Sequence, residues 1–419
     1  MDHGFVFVHA ADMHLDAPFA GVSADDARVG KALAEATHAA FDRLVDTCVE
    51  RGARFVVLAG DAYNSSDTSL RAQLHFAAGM RRLSEAGVDV FLVHGNHDPA
   101  SGWSAGLAMP ESVHVFPTDR VGRFEVTSDG QTVAAVYGRS FAHAAETANL
   151  AVGYARQADD PFAVGVLHAN VGGNPEYDPY APASLDDLRA ARMDYWALGH
   201  IHKQEVLVRD PWIAYSGSTQ GLNPKETGPH GCLVVQVGPS GISAVEHVET
   251  APVGWAQIEC DLAAAHTIED AHRRLAESCE AIRSDAGRPT VVRVKLVGRS
   301  PAHAGLARAG VLGDLVESVR RDQAAATPWI WLDRVTDVTA PVLDLDAVRA
   351  GKEFSAELVR IADELEADSV ALGQLIEEIS APLGAALPGY ELGIDSNSAL
   401  IAARDAALDL LLAEGGGRP

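Results

Sequence analysis

Phe5-Val6-Phe7-Val8-His9-Ala10-Ala11-Asp12-Met13-His14 begins as an apolar run and ends in two side chains able to bind a metal. The same design recurs at residues 55–64 (FVVLAGDAYN), 91–98 (FLVHGNHD), 163–170 (AVGVLHAN) and 195–202 (YWALGHIH). Each reads as a buried strand running directly into a polar cluster. In open α/β sheets, ligand sites lie just outside the carboxyl ends of the strands, so five such clusters on one sheet would converge at one rim.

What converges is chemically coherent. Asp12 and His14, like His200 and His202, are two residues apart, so an extended backbone needs a local turn before both can share an ion. Asp61 follows Gly60 at a strand end, where a carboxylate can bridge two cations; Asn96 offers a neutral oxygen and His168 another imidazole. Carboxylate, amide oxygen and imidazole without thiolate suit Mn²⁺, Fe²⁺ or Zn²⁺ better than Mg²⁺ or a structural zinc. Two ions about 3.5–4 Å apart can activate a bridging water and clamp a phosphoryl oxygen. A lone DxH or HxH is usually a surface or core pair; all five clusters together are not so explained.

Outward from these clusters, in a domain read as 1–251, the first 200 residues alternate apolar runs with helical patterns at 30–51 and 69–86, the second closed by Gly87. From 204 to 248, short strands and glycine turns suggest an antiparallel extension of the same domain. A smaller α/β module follows at 252–337, with strands at 255–262, 290–297 and 329–335 and helices at 268–284 and 306–321. Residues 338–419 read as helices at 355–366, 369–383 and 398–413, with apolar stripes (Leu358, Ile361, Leu365; Leu372, Ile376, Ile379, Leu383) suited to packing on the chain itself or on a partner.

The formal charge of −25 argues against nucleic acid as a partner, since phosphate contacts need Lys and Arg. The charge is uneven, however. Residues 287–321 carry Arg288, Arg293, Lys295, Arg299, Arg308, Arg320 and Arg321 against Asp314 and Glu317, while the acidic excess gathers beyond Asp337. Arg293 and Lys295 alternate on one strand and could contact DNA phosphates; the alternative is a solvated face. Trp329 and Trp331 also alternate, with core packing favoured over a stacking platform. Tyr177, Asp178 and Tyr180 follow His168 in a loop that could shape a substrate groove. His94 reads as structural, and His3, His38, His75, His143 and His230 lack ligand spacing. Cys48, Cys232, Cys260 and Cys279 form no CxxC pair and read as buried thiols. With no apolar run long enough to span a membrane and no signal-peptide pattern, the expected location is the cytoplasm.

DxH, GDxx, GNHD, a lone His and GHxH in this order resemble the calcineurin-like metallophosphoesterase superfamily. The opening HAADMHLD, the GNHDP segment, Gly217-Ser218-Thr219-Gln220 and Glu226-Thr227-Gly228 are similar to its SbcD/YhaO-like DNA-repair exonucleases. The resemblance implies a four-layer α/β sandwich with a small α/β DNA-binding cap domain and a helical C-terminal tail. It implies that Asp12, His14, Asp61 and His202 hold one ion, that Asp61, Asn96, His168 and His200 hold the other, and that His97, oriented by Asp98, is the acid near the leaving oxygen. The implied activity is Mn²⁺-dependent exonucleolytic cleavage of DNA, by a homodimer whose tail docks a coiled-coil SbcC-like ATPase. Asn64 departs from the pattern, standing where several relatives carry a histidine; Met13 replaces a commoner leucine. Two other functions compete: a phosphodiesterase or phosphatase for a small substrate, and a non-catalytic metal-binding subunit of an ATPase complex.

Overall fold

The computed structural model describes residues 4–19, 22, 26–64, 69–102, 105–386 and 395–415, with side chains left out at 381–386 and 412–415. His3 and the side chain of Leu383 therefore lie outside the described residues.

The chain runs β1 (Phe5–Ala10), α1 (Ala27–Glu50), β2 (Phe55–Ala59), α2 (Leu70–Glu85), β3 (Asp89–Val93), β4 (Val113–Val115), β5 (Gly122–Ser128), β6 (Gln131–Gly138), β7 (Ala163–His168), α3 (Leu185–Ala190) and β8 (Tyr195–Gly199). It continues with β9 (Glu205–Arg209), β10 (Trp212–Tyr215), β11 (Gly231–Gly238), β12 (Gly241–Glu249) and β13 (Gly254–Asp261). Then come α4 (Ile268–Ala286), β14 (Thr290–Val297), α5 (His303–Leu306), α6 (Val311–Ala325) and β15 (Ile330–Asp337). Four helices end it: α7 (Leu345–Ala350), α8 (Phe354–Ala367), α9 (Ser369–Ala386) and α10 (Ser396–Gly415).

The strands form two six-stranded sheets, ordered β12-β11-β1-β2-β3-β4 and β5-β6-β7-β8-β10-β9. The five clusters thus leave two sheets rather than one: three from β1, β2 and β3, and two from β7 and β8. Parallel register keeps the strand ends level, with Ala10 opposite Leu58, Ala59 opposite Val93 and His168 opposite Gly199. One rim still results, because the sheets pack face to face. Phe7, Phe55 and Phe91 meet Val136, Val164 and Tyr195 in a shared core. Phe7 stacks on Phe55 with centroids 4.9 Å apart and meets the edge of Tyr195 at 5.1 Å. His9 also ties the sheets: its Nε2–H donates to the Leu198 carbonyl (3.1 Å) and the Tyr195 hydroxyl donates to Nδ1 (3.0 Å).

The outer face of the first sheet is covered by α1 and α2, through Phe41, Leu44, Phe76 and Met80. Both helices start at capped residues, Asp26 and Ser69, whose side chains accept from the first-turn N–H groups. The outer face of the second sheet is covered by α3 and loop residues, including Leu150, Tyr154 and Leu188. The glycine-rich segment after β8 splits between the sheets: β10 adds to β8 and pairs antiparallel with β9, while the β11–β12 hairpin joins β1.

The later strands form a three-stranded sheet, β13-β14-β15. Trp329 and Trp331 are buried in a cluster with Phe19, Val29, Leu33, Trp255 and Val291. Core packing, not a stacking platform, is their role. The helix expected at 306–321 is interrupted: Gly310 takes φ +86°, a value few side chains tolerate, and α6 starts only at Val311. Compactness divides the chain differently from the sequence boundaries at 251 and 337. One unit holds residues up to Ile258 with Ser278–Val294 and Ser318–Val335; the other holds Glu259–Glu277, Lys295–Glu317 and everything from Thr336. In α8 the buried positions are Val359 and Ala362, so the expected stripe is rotated and Ile361 stands 46% exposed.

Candidate metal centre

Immediately after the strands the backbone turns sharply. Asp12, His14, Asp61 and His200 adopt φ of +52°, +44°, +52° and +96°. Each such non-glycine residue costs on the order of 1–3 kcal/mol, a strain that gathers at functional sites. The turns are fixed by the Asp12 N–H on the Gly60 carbonyl and the His14 N–H on the Asp61 carbonyl, both 3.0 Å. They supply the local bend that two residues of extended chain could not. Gly95 is obligatory here, because a Cβ would fall 2.3 Å from Asp61 Oδ1.

All seven sequence-predicted ligands meet at this rim. Asp61 stands centrally, Oδ2 lying 3.4 Å from His168 Nε2 and 3.9 Å from His14 Nε2. His14 Nε2 is 3.1 Å from His202 Nε2, and Asn96 Oδ1 is 2.9 Å from His168 Nε2. Asp12, His14 and His202 form one group of ligand atoms within 4.8 Å of one another; Asp12, Asp61 and His168 form a second; His14, Asp61 and His97 form a third.

Hydrogen bonds to the far side of each ring set which nitrogen is free. His168 Nδ1–H donates to the Ala59 carbonyl (2.9 Å), His200 Nε2–H to the Asp178 carbonyl (2.8 Å) and His202 Nδ1–H to Glu226 (2.9 Å). His168 therefore turns a bare nitrogen toward the oxygen of Asn96: two acceptors 2.9 Å apart, which a shared cation would satisfy. Burial favours neutral imidazole, lowering His168 to about 3, His200 to about 4 and His14 well below the usual range. Burial also raises Asp12 to about 8, and raises Asp61, because both carboxylates lack a permanent cationic partner. His202 is the exception. Burial lowers it, but the Glu226 hydrogen bond and the charge of Asp12 outweigh that and set it at about 9. The donor set fits a pair of divalent ions: the neutral imidazoles of His14, His168 and His200, with His202, around two buried carboxylates.

His97 is exposed at the mouth, its ring 4.8 Å from that of His14. Its ring is oriented by the carbonyl of Asn64, 2.9 Å from Nδ1. Asp98 does not orient it. The Asp98 carboxylate accepts from the N–H groups of Asp61, Ala62 and Gly95 and so fixes the two ligand loops instead. Asn64 therefore contributes through its backbone, which the side-chain departure does not alter.

Two positioning residues were missed by the sequence reading. Glu226 holds His202, and Asn170 pins the loop carrying Asp178, its amide donating to the carbonyls of Asn174, Tyr177 and Asp178. Both stood in quoted motifs, as the E of ETG and the N of HAN. Arg293 and Lys295 differ in availability. Arg293 is paired with Asp333 at 2.7 Å, whereas Lys295 is exposed. Arg288 and Arg299 are also engaged, with Glu249 and with Asp405 and Asp409. Of the other histidines, His38 pairs with Asp16, His75 lies 3.1 Å from Asp42 and His230 accepts the Ser218 hydroxyl at Nδ1, whereas His94 Nδ1 is buried without a hydrogen-bond partner among the described residues.

The calcineurin-like phosphoesterase family profile matches residues 5–204, and that of the metallophosphoesterase YhaO middle domain matches residues 255–340. The chain is 34% identical over 364 residues to the uncharacterized metallophosphoesterase YhaO of Bacillus subtilis, covering 86% of this chain and 89% of that protein. It is 28% identical over 246 residues to the DNA double-strand break repair protein Mre11 of Haloferax volcanii, covering 57% of this chain and 52% of that one. To Mre11 of Halobacterium salinarum it is 27% identical over 208 residues, 47% and 49% of the two chains. The chain thus spans about half the length of these Mre11 proteins. It belongs to the calcineurin-like metallophosphoesterases, within the YhaO group.

Proposed function

We propose that this metallophosphoesterase is a DNA exonuclease that hydrolyses phosphodiesters with two divalent ions, most readily Mn²⁺. The observation that carries this is the rim of Asp12, His14, Asp61, Asn96, His168, His200 and His202 with His97 at its mouth. Similarity to Mre11 supports DNA as the substrate. When bound, the ions would supply Lewis acidity and an activated water. Asp12, His14, Asp61 and His202 would hold one and Asp61, Asn96, His168 and His200 the other. His97 lies exposed where it can give a proton to a leaving oxygen, oriented at Nδ1 by Asn64. Exposed apolar side chains on the tail, among them Phe354 (70%) and Leu410 (72%), support docking of an ATPase partner. A homodimer and cytoplasmic residence belong to the same reading, as does a division into catalytic domain, cap (252–337) and tail.

A second reading, a phosphodiesterase for a small substrate, gains from the internal pairing of Arg288, Arg293 and Arg299, which weakens the cap as a DNA surface. End-labelled duplex DNA and bis(p-nitrophenyl) phosphate, each with Mn²⁺ and with chelator, separate the two. Cleavage of the small ester without cleavage of DNA would overturn the nuclease reading. Asp61→Ala should abolish hydrolysis and metal binding together. His97→Ala should keep its metal while turnover falls roughly 10²–10⁴-fold; equal metal loss in both variants would contradict these roles.

A further inference from the structure

A groove of about 830 Å³ opens beside the metal centre, its lining including Tyr177, His202, Lys203 and Lys225. The chain has five lysines, so two of them line this one groove. Both are exposed, and no ion pair is formed by either among the described residues, although Glu176 and Glu205 line the same groove. This contrasts with the arginines of residues 288–299, which are taken up by carboxylates. Glu226, also at the groove, is held by His202 and by the Leu222 N–H. Lys203 and Lys225 are therefore uncommitted cations beside His202, whereas on the strand of Arg293 only Lys295 is left unpaired among the described residues.

Tyr177 adds the second component. Its ring stands edge-on to His200 and His202, with centroids 5.9 and 6.1 Å away, and is half-buried in a loop whose carbonyls accept from the Asn170 amide. An aromatic face one ring away from metal ligands, followed by unpaired ammonium groups, is the combination by which proteins track an unpaired strand. A duplex does not offer its base faces to such a ring.

We propose that this groove binds the single-stranded segment of nucleic acid next to the scissile phosphodiester, Tyr177 stacking on a base and Lys203 and Lys225 holding phosphates. The proposal rests on the phosphodiesterase reading above and adds to it the state of the substrate strand.

The test is fluorescence anisotropy with a labelled single-stranded DNA decamer and the matching blunt duplex, on the full chain in chelator so that nothing is cleaved. At 0.1 M salt, two lost phosphate contacts should weaken decamer binding by about 25-fold in Lys203→Gln/Lys225→Gln and flatten the log–log salt slope by about 1.4. Tyr177→Leu should weaken it by roughly 5- to 150-fold, while Tyr177→Phe keeps wild-type affinity. Unchanged decamer affinity or salt slope in the double lysine variant would overturn the proposal, as would duplex binding as tight as single-strand binding in the wild type. Failure of the wild type to hydrolyse any phosphodiester with Mn²⁺ is a separate result: it removes the enzymatic reading, while anisotropy still reports on the groove.

Discussion

Replacing Glu226 by glutamine isolates what one carboxylate behind a metal ligand contributes. Glu226 accepts from His202 Nδ1 through one oxygen at 2.9 Å and from the Leu222 N–H through the other at 2.7 Å, so glutamine matches its shape but loses the charge and one of the two acceptors. A charged hydrogen bond of this kind contributes about 1.5–3 kcal/mol. Losing such an outer partner typically weakens metal binding by about 10–100-fold, or roughly 1.4–2.8 kcal/mol, so the two magnitudes agree. A second effect opposes the first. His202 is raised to about 9 despite burial, with the Glu226 hydrogen bond the leading cause of the rise, so below that pH an incoming ion must displace a proton. A raised value means the proton is held more firmly as pH falls, and the wild type loses up to tenfold in metal affinity per pH unit there. Without the carboxylate His202 gives up its proton more easily, which offsets part of the loss near neutrality. Mn²⁺ titration by anaerobic equilibrium dialysis should therefore show the larger defect at pH 8.5 and the smaller at pH 6.5. The defect should fall on one of two ions, the one shared with Asp12 and His14. Wild-type affinity at pH 8.5, or a defect that grows toward pH 6.5, would refute the reasoning.

Gly199→Ala should destabilise by about 3 kcal/mol or more, because its Cβ would lie 1.9 Å from the Ala59 carbonyl oxygen, a backbone atom unable to yield; urea denaturation measures it, and a shift under 1 kcal/mol would be inconsistent with the sheet spacing. His9 is buried and lowered to about 3 by that burial, against about 6.5 in an unfolded chain. Between those values the unfolded state binds one more proton, so stability is lost as pH falls from 6.5, by about 1.4 kcal/mol per unit. Stability of His9→Gln followed from pH 7 to 4 should decline less steeply by that amount, and parallel curves would exclude the assignment.

The metal rim was legible because each ligand follows a strand whose apolar run is visible without a partner. Burial dictates such runs, and parallel register then brings their ends level, so His168 and Asp12 could be joined without knowing that they leave different sheets. The two sheets came only from the family resemblance and its four-layer sandwich, because in the strand pattern Phe7 and Tyr195 read only as buried and nothing local says that they face each other. Glu226 and Asn170 escaped for a related reason. Their partners, His202 at a separation of 24 residues and a loop of backbone carbonyls, are defined by the folded path and not by spacing. The charge reading was incomplete at three of its arginines. Counting Arg288, Arg293 and Arg299 as a basic surface ignored that an arginine fork pairs with whatever carboxylate the fold brings to it: Glu249, Asp333, and Asp405 with Asp409. Net charge by region reports where cations are encoded. Only the pairing shows which are left for a phosphate, and among these residues that sets Arg293 aside and leaves Lys295, Lys203 and Lys225.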